Sequence, residues 1–251
     1  MSTYDRIGVG YSSRRQPDPR IADALEDALG LASTVVDVGS GTGSYQPSGR
    51  SVVGVEPSQT MIDQRPAGSA AVIRAVAENL PVRSGVFDAA LAVLTVHHWE
   101  DHVGGLEELA RVAARQVILT WDPDTFSRFW LVADYLPEIA TRESTLATLE
   151  AVVDVLEVRE VRPVLVPADC TDGFCGAYWR RPAEYLDPSV RSAISAFARC
   201  DPDAVVTAMA RLEEDLVSGA WVRRYDGLLH RGEIDLGYRI VLCDGIRSRG
   251  G

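Results

Sequence analysis

VVDVGSGTGSY, residues 35 to 45, runs an apolar strand into an acid, Asp37, and then into three alternating glycines, Gly39, Gly41 and Gly43. The pattern reads as strand, tight loop, helix. Without a Cβ the glycines admit positive φ and let backbone approach a ligand closely. In a dinucleotide-binding fingerprint the spacing is G-x-G-x-x-G and the loop carries a pyrophosphate. Here it is G-x-G-x-G, and glycine-rich turns also follow strands for purely geometric reasons.

An acid ahead of this tighter pattern suits a ligand that carries a cation and an amino acid group. S-adenosylmethionine is such a ligand. The segments that follow supply further contacts in order along the chain. VVGVEPS, residues 52 to 58, is a second apolar strand ending in Glu56, whose two carboxylate oxygens can accept hydrogen bonds from both hydroxyls of a ribose. AVAENLP, residues 75 to 81, comes next, and VFDAALAVLTVHHW, residues 86 to 99, runs a further apolar strand into two histidines.

On these four stretches the chain resembles the class I S-adenosylmethionine-dependent methyltransferases of the small-molecule type, similar to the ubiquinone and menaquinone biosynthesis and trans-aconitate methyltransferases. The resemblance covers residues 30 to 125 with specific motifs and the two ends more weakly. It implies an α/β fold, a Rossmann-like seven-stranded sheet with helices on both faces, and S-adenosylhomocysteine as product. It places Asp37 near the cofactor ammonium, Glu56 on the ribose, Ala77 and Glu78 at the adenine edge, Met61 on the adenine face, and Leu94 and Thr95 beside the sulfonium. In related enzymes an N-terminal segment folds over the cofactor, which makes Tyr11, Arg14 and Arg15 candidate lid residues; a flexible terminus is the alternative.

Element patterning agrees with an α/β core. Strands are expected at 34–38, 51–55, 71–75, 87–93 and 116–121, with helices at 58–64 and 103–113. The latter lines up Leu106, Leu109, Ala110 and Ala113. Before them, PDPRIADALEDALG predicts a helix with Asp18 as N-cap, Pro19 at its first position and Gly30 at its end. Later come helices near 126–140 and 143–156, a strand at 158–166 whose Pro163 points to a sheet edge, and an antiparallel last strand at 237–244. The expected organisation is a lid and helix over 1–30, the cofactor-binding core over 31–167, a helical cap inserted over 168–220, and a return to the core over 221–251.

Composition narrows the field further. The formal net charge is −11, which argues against nucleic acid or an anionic membrane as partner. All 25 basic residues are arginine, so mechanisms that need a catalytic lysine are excluded. The expected protein is soluble and cytoplasmic, a monomer or homodimer, because no signal-peptide pattern opens the chain and no apolar run is long enough to span a bilayer. Cys170, Cys175, Cys200 and Cys243 do not fit a zinc spacing, and no metal is expected.

The acceptor side is less constrained. His97 and His98 follow the strand nearest the transferred methyl and are candidate bases or substrate contacts, and the alternative is that they hydrogen-bond the loop while Trp99 packs below. Trp121 ends the fifth strand and is a candidate to flank the donor or the substrate. Within DCTDGFCGAYWRRPAEYLD, residues 169 to 187, Tyr178 and Trp179 are candidates to line the acceptor pocket and Arg180 and Arg181 to clamp an anionic group, unless they simply pack the cap. The chemistry expected is in-line methyl transfer to a small molecule. The same motifs also allow cyclisation or cleavage of the cofactor's aminoalkyl chain, or cofactor binding without catalysis.

Overall fold

The computed structural model describes residues 15–247. Tyr11 and Arg14 lie outside the described residues. Seven strands form one sheet: β1 (Thr34–Val38), β2 (Ser51–Val55), β3 (Ala71–Ile73), β4 (Phe87–Val93), β5 (Ala113–Trp121), β6 (Leu156–Pro167) and β7 (Glu233–Ile246). Their order is β3-β2-β1-β4-β5-β7-β6. The first five run parallel, so their carboxyl ends open on one edge, and β7 lies antiparallel between β5 and β6. Pro163 sits on β6, the edge strand, where a missing N–H costs least.

Helix α1 (Pro19–Leu29) forms as its sequence signals require. The Asp18 carboxylate accepts the Arg20 N–H at 3.0 Å, and Gly30 takes φ +56° to end the run. Ile21, Leu25, Ala28 and Leu29 face the sheet. Helix α2 (His102–Val112) is capped by Asp101 and buries Leu106 and Leu109 as expected, while Ala110 is half-buried and Ala113 already begins β5. The sheet thus separates two cores. One face carries α2 and α3 (Leu149–Val155) over Val36, Ala90 and Ile118; the other carries α1 and the cap over Val35, Leu91 and Val117.

The expected helix at 126–140 is instead three short turns, Pro123–Phe126, Leu131–Tyr135 and Glu138–Glu143. Pro137 causes the second break: it disfavours helical geometry at Leu136, which takes φ −137° and ψ 68°. Residues 122–148 and 168–232 lie between strands and are grouped as the cap; helix α5 (Ala220–Leu229), following α4 (Pro202–Val217), packs on the first of these segments. Trp221 of α5 meets Trp130 edge-on at 5.3 Å, and Trp130 meets Tyr185 at 5.7 Å.

Trp179 joins this cluster to the sheet. It is fully buried, and its indole N–H donates to the Val166 and Pro167 carbonyls at the end of β6. Its own carbonyl accepts the Trp130 indole N–H at 2.8 Å. Among the described residues no helix is long and apolar enough to cross a membrane. Trp179→Ala is expected to lower unfolding free energy by about 3–5 kcal/mol, read from the urea midpoint. Arg180→Ala, which loses only a solvent-exposed bond to the Arg231 carbonyl, should change it by less than about 0.5 kcal/mol.

Candidate active site

The glycine loop is held from three sides. Gly39, Gly41 and Gly43 take φ of +72°, +50° and +81°. The Gly39 and Ser40 N–H groups both donate to the Val55 carbonyl, and the Gly41 N–H donates to a Glu56 carboxylate oxygen at 2.9 Å. The other Glu56 oxygen accepts the Ser58 N–H at 2.8 Å. A Cβ on Gly39 would lie 2.0 Å from Thr95 Oγ1, so the loop reaches the end of β4 only because that position is glycine. Gly43 turns the chain away, its N–H bonded to the Ser40 carbonyl. Arg65 supports the loop from beneath through Ser40 Oγ and the Gly41 carbonyl.

These parts enclose a cavity of about 720 Å³ at the carboxyl ends of β1, β2 and β4. Asp37, Gly39, Gly41, Glu56, Met61, Ala77, Glu78, Leu94, Thr95 and Arg15 all line it; Gly43 does not. Asp37 is buried at its base, and burial pushes its carboxyl up to about 7, with Arg65 opposing and Glu56 adding to the rise. Glu78 holds the rim by accepting the Glu100 and Asp101 N–H groups. The donors and shape fit S-adenosylmethionine: a glycine cradle, a buried acid for an ammonium, and a second acid at the end of the next strand.

A second, smaller chamber of about 60 Å³ lies behind it. The two share Arg15, Leu94 and His98. Leu94 takes φ +50°, rare for a residue with a side chain, at the junction. His97 and Trp121 line the inner chamber, with their rings edge-to-face at 4.6 Å, and the His97 and His98 rings lie 3.7 Å apart. Burial pushes His98 down to about 3 and His97 well below its ordinary value, and the nearby Arg199 and Arg15 cations push the same way. Both imidazoles are therefore neutral at physiological pH.

The structure does not bring Tyr178, Trp179, Arg180 or Arg181 to either cavity. Trp179 and Tyr178 pack the cap, Arg180 meets the Arg231 carbonyl, and Arg181 lies over the Tyr178 ring and donates to the Cys170 and Ala177 carbonyls. Such packing is the ordinary fate of a large aromatic side chain. From the 169–187 stretch the inner walls take Phe174 and Cys175 instead, and the rest come from residues no local pattern marks: Phe126, Glu143, Ile194 and Tyr238. Glu143 is buried, its carboxyl pushed up to about 7 by that burial while Arg199 at 3.5 Å opposes the rise.

Arg15 reaches the site as part of a network. Its guanidinium donates to Asp172 of the cap at 2.6 Å, and the Tyr45 hydroxyl donates to the other Asp172 oxygen at 2.9 Å. The four cysteines are buried and unpaired with one another, and no group of three or more metal-ligating side chains occurs among the described residues.

Residues 36–120 match the family model described as "Methyltransferase domain". A proposed methyltransferase from an antibiotic biosynthesis pathway of Anabaena variabilis has 33% sequence identity and a TM-score of 0.81, covering 92% of this chain and 98% of its own. A SAM-dependent methyltransferase from Thermotoga maritima, at 22% identity and a TM-score of 0.51, covers 64% of this chain and 84% of its own and shares the fold. Among curated proteins, tRNA (carboxymethyluridine(34)-5-O)-methyltransferase ALKBH8 of Mus musculus is 35% identical over 129 residues, 47% of this chain. The match spans only 19% of that relative's length.

Gly39→Ala is expected to destabilise the protein by more than about 1 kcal/mol, because it combines a disallowed φ with the Thr95 collision. Thermal melting reads the loss, and the same variant should bind S-adenosylhomocysteine measurably more weakly by calorimetry.

Proposed function

The chain belongs to the class I S-adenosylmethionine-dependent methyltransferases, and from that premise we propose that it methylates a small-molecule acceptor seated in the inner chamber. The observation that carries this reading is the pair of cavities meeting at Leu94 and His98. S-adenosylmethionine is the cofactor, and when bound it supplies an electrophilic methyl group. The outer cavity has the volume and donors for it, and the inner one leaves room for the reacting end of an acceptor. Alignment of this kind can contribute several kcal/mol by orientation alone.

In this reading Asp37 meets the cofactor ammonium, and Glu56, already fixed by Gly41 and Ser58, receives the ribose hydroxyls with its remaining lone pairs. Met61, Ala77 and Glu78 flank the adenine, and Leu94 and Thr95 stand beside the sulfonium. Arg15, pinned by Asp172, closes the boundary between the cavities and excludes water there. Trp121 faces the acceptor together with His97 and His98 as neutral walls.

The curated relatives favour a second reading, with tRNA as acceptor, since their names carry that activity. Charge speaks against it: the chain carries −11, and the rim beside the cavity holds Glu78, Glu100 and Asp101. Incubating the protein with labelled cofactor and either bulk tRNA or a small-molecule extract separates the two. Label appearing in tRNA overturns the small-molecule reading. Release of methylthioadenosine without any acceptor would point to cleavage of the cofactor chain instead of methyl transfer.

Glu56→Ala should weaken S-adenosylhomocysteine binding by roughly ten- to a hundredfold through lost charge-assisted hydrogen bonds. A calorimetric affinity equal to wild type would refute the ribose role. The Asp37 carboxyl, raised to about 7, is mostly protonated below that pH and must give up its proton to meet an ammonium. Cofactor affinity should therefore rise by about tenfold per pH unit up to that point and level off above it. Asp37→Asn should be weak throughout and flat across the same range.

A further inference from the structure

We propose that Glu143 takes the proton from a hydroxyl group of the acceptor, and that the acceptor is accordingly a phenol or an enol. The inference rests on methyl transfer in the inner chamber and names the substrate class of that site. Two of the polar groups in the chamber wall define it. Trp121 is buried, and its indole N–H has no hydrogen-bond partner among the described residues. Glu143 is equally buried, and among the described residues its carboxylate is paired with Arg199 at 3.5 Å.

A hydroxyl is at once a donor and an acceptor, so one oxygen can receive the Trp121 N–H and donate to Glu143. A neutral amine has a single lone pair, which it must direct at the methyl carbon, so it would leave the indole N–H unpaired in a dry site, at a cost of about 1–3 kcal/mol. A thiol is a weak partner for both. Among the other wall residues, Phe126, Phe174, Ile194 and Tyr238 offer largely apolar surface, as suits a flat unsaturated ring. At about 60 Å³ the chamber has the share of roughly two liquid waters and admits the reacting edge of such a molecule.

The histidines expected to act as bases cannot do so well. Burial keeps both neutral and lowers their appetite for a proton far below physiological pH. The same burial raises Glu143 to about 7, where a general base is most effective. The groups facing Glu143 are Arg199, Cys175, Cys200 and Tyr238. Burial pushes the two thiols and the phenol upward, so they stay neutral, and Arg199 alone opposes the carboxylate's rise. Arg15, at the boundary of the chambers, favours an oxyanion developing between them.

The step balances. The acceptor hydroxyl gives its proton to a Glu143 oxygen as its own oxygen bonds the methyl carbon, and the electron pair of the broken carbon–sulfur bond stays on sulfur. A phenol or enol suits this better than an alkanol, because its acidity lies closer to that of Glu143.

The test uses the full chain with phenol, aniline and thiophenol as probes. Calorimetry on protein saturated with S-adenosylhomocysteine reads binding, and chromatography of anisole, N-methylaniline and thioanisole reads transfer from S-adenosylmethionine. Phenol should bind and be methylated in preference to the other two. Its rate should rise with pH through about 7, well below the phenol's own ionisation near 10. Glu143→Gln should lower kcat by about a hundredfold and erase that pH limb while leaving the affinity for S-adenosylhomocysteine unchanged. Trp121→Phe should weaken phenol binding by about tenfold and keep the limb, and it decides the matter if Glu143→Gln does not fold. Preference for aniline or thiophenol, absence of phenol binding, or a Glu143→Gln protein with the wild-type rate and pH profile overturns the inference. Failure of the wild type to bind S-adenosylhomocysteine overturns instead the methyl-transfer reading beneath it.

Discussion

Gly39 and Thr95 approach so closely that a single methyl group would not fit between them, and the rest of the site depends on that approach. It lays the loop after β1 across the end of β4, the neighbouring strand in the sheet. Glu56 then fastens the same loop to the end of β2 through the Gly41 N–H. Three parallel strands are thereby joined at their carboxyl ends, the place where open α/β sheets bind ligands. The cofactor cavity is the space these two fastenings leave. The strained backbone of Leu94, next to Thr95, is the point at which that space meets the inner chamber.

Burial does opposite things to the ionisable groups of this site, and the division follows the sign of the charge. Asp37 and Glu143 rise into the neutral range, whereas His97 and His98 fall out of it. A low-dielectric pocket always favours the uncharged form. The outcome is an outer cavity and an inner chamber that each hold a carboxyl raised into the neutral range, while the imidazoles of the inner chamber stay uncharged. Arg65 and Arg199, one behind each acid, keep the rise within physiological reach.

The lining of the outer cavity was legible in the sequence because its determinants are local. The glycine spacing, Asp37, and the acid that ends β2 are adjacent in the chain, and α1 announces itself through Asp18, Pro19 and Gly30. Of the inner chamber, His97, His98 and Trp121 were legible and the walls facing them were not. Phe126, Glu143, Phe174, Ile194 and Tyr238 come from five separate stretches and share no spacing. Tyr178 and Trp179 looked like pocket residues because an aromatic that packs a cap and one that lines a cavity have the same sequence signature. Only the partner distinguishes them, and for Trp179 the partners are backbone carbonyls of β6. The helix expected at 126–140 is interrupted at Leu136 for a local reason that was present in the sequence, the proline that follows it.

The cap is more than a lid set on a finished domain. Its aromatic cluster around Trp130, Trp179 and Tyr185 is continuous with the core on one face of the sheet, so cap and sheet form one packed body. Packed interiors transmit displacement because they hold little free volume. The residues that line the inner chamber hang from that body: Glu143 from the turn after Pro137, Ile194 from the segment after Tyr185, and Tyr238 from β7 opposite Trp121. The chamber is therefore shaped by the side chains that stabilise the cap, while the cofactor cavity is shaped by backbone at the strand ends. Asp172 couples the two, because it belongs to the cap yet holds both Arg15 at the boundary and Tyr45 just beyond the glycine loop. A site divided in this way can keep one cofactor geometry under an acceptor chamber whose form depends on a different set of contacts.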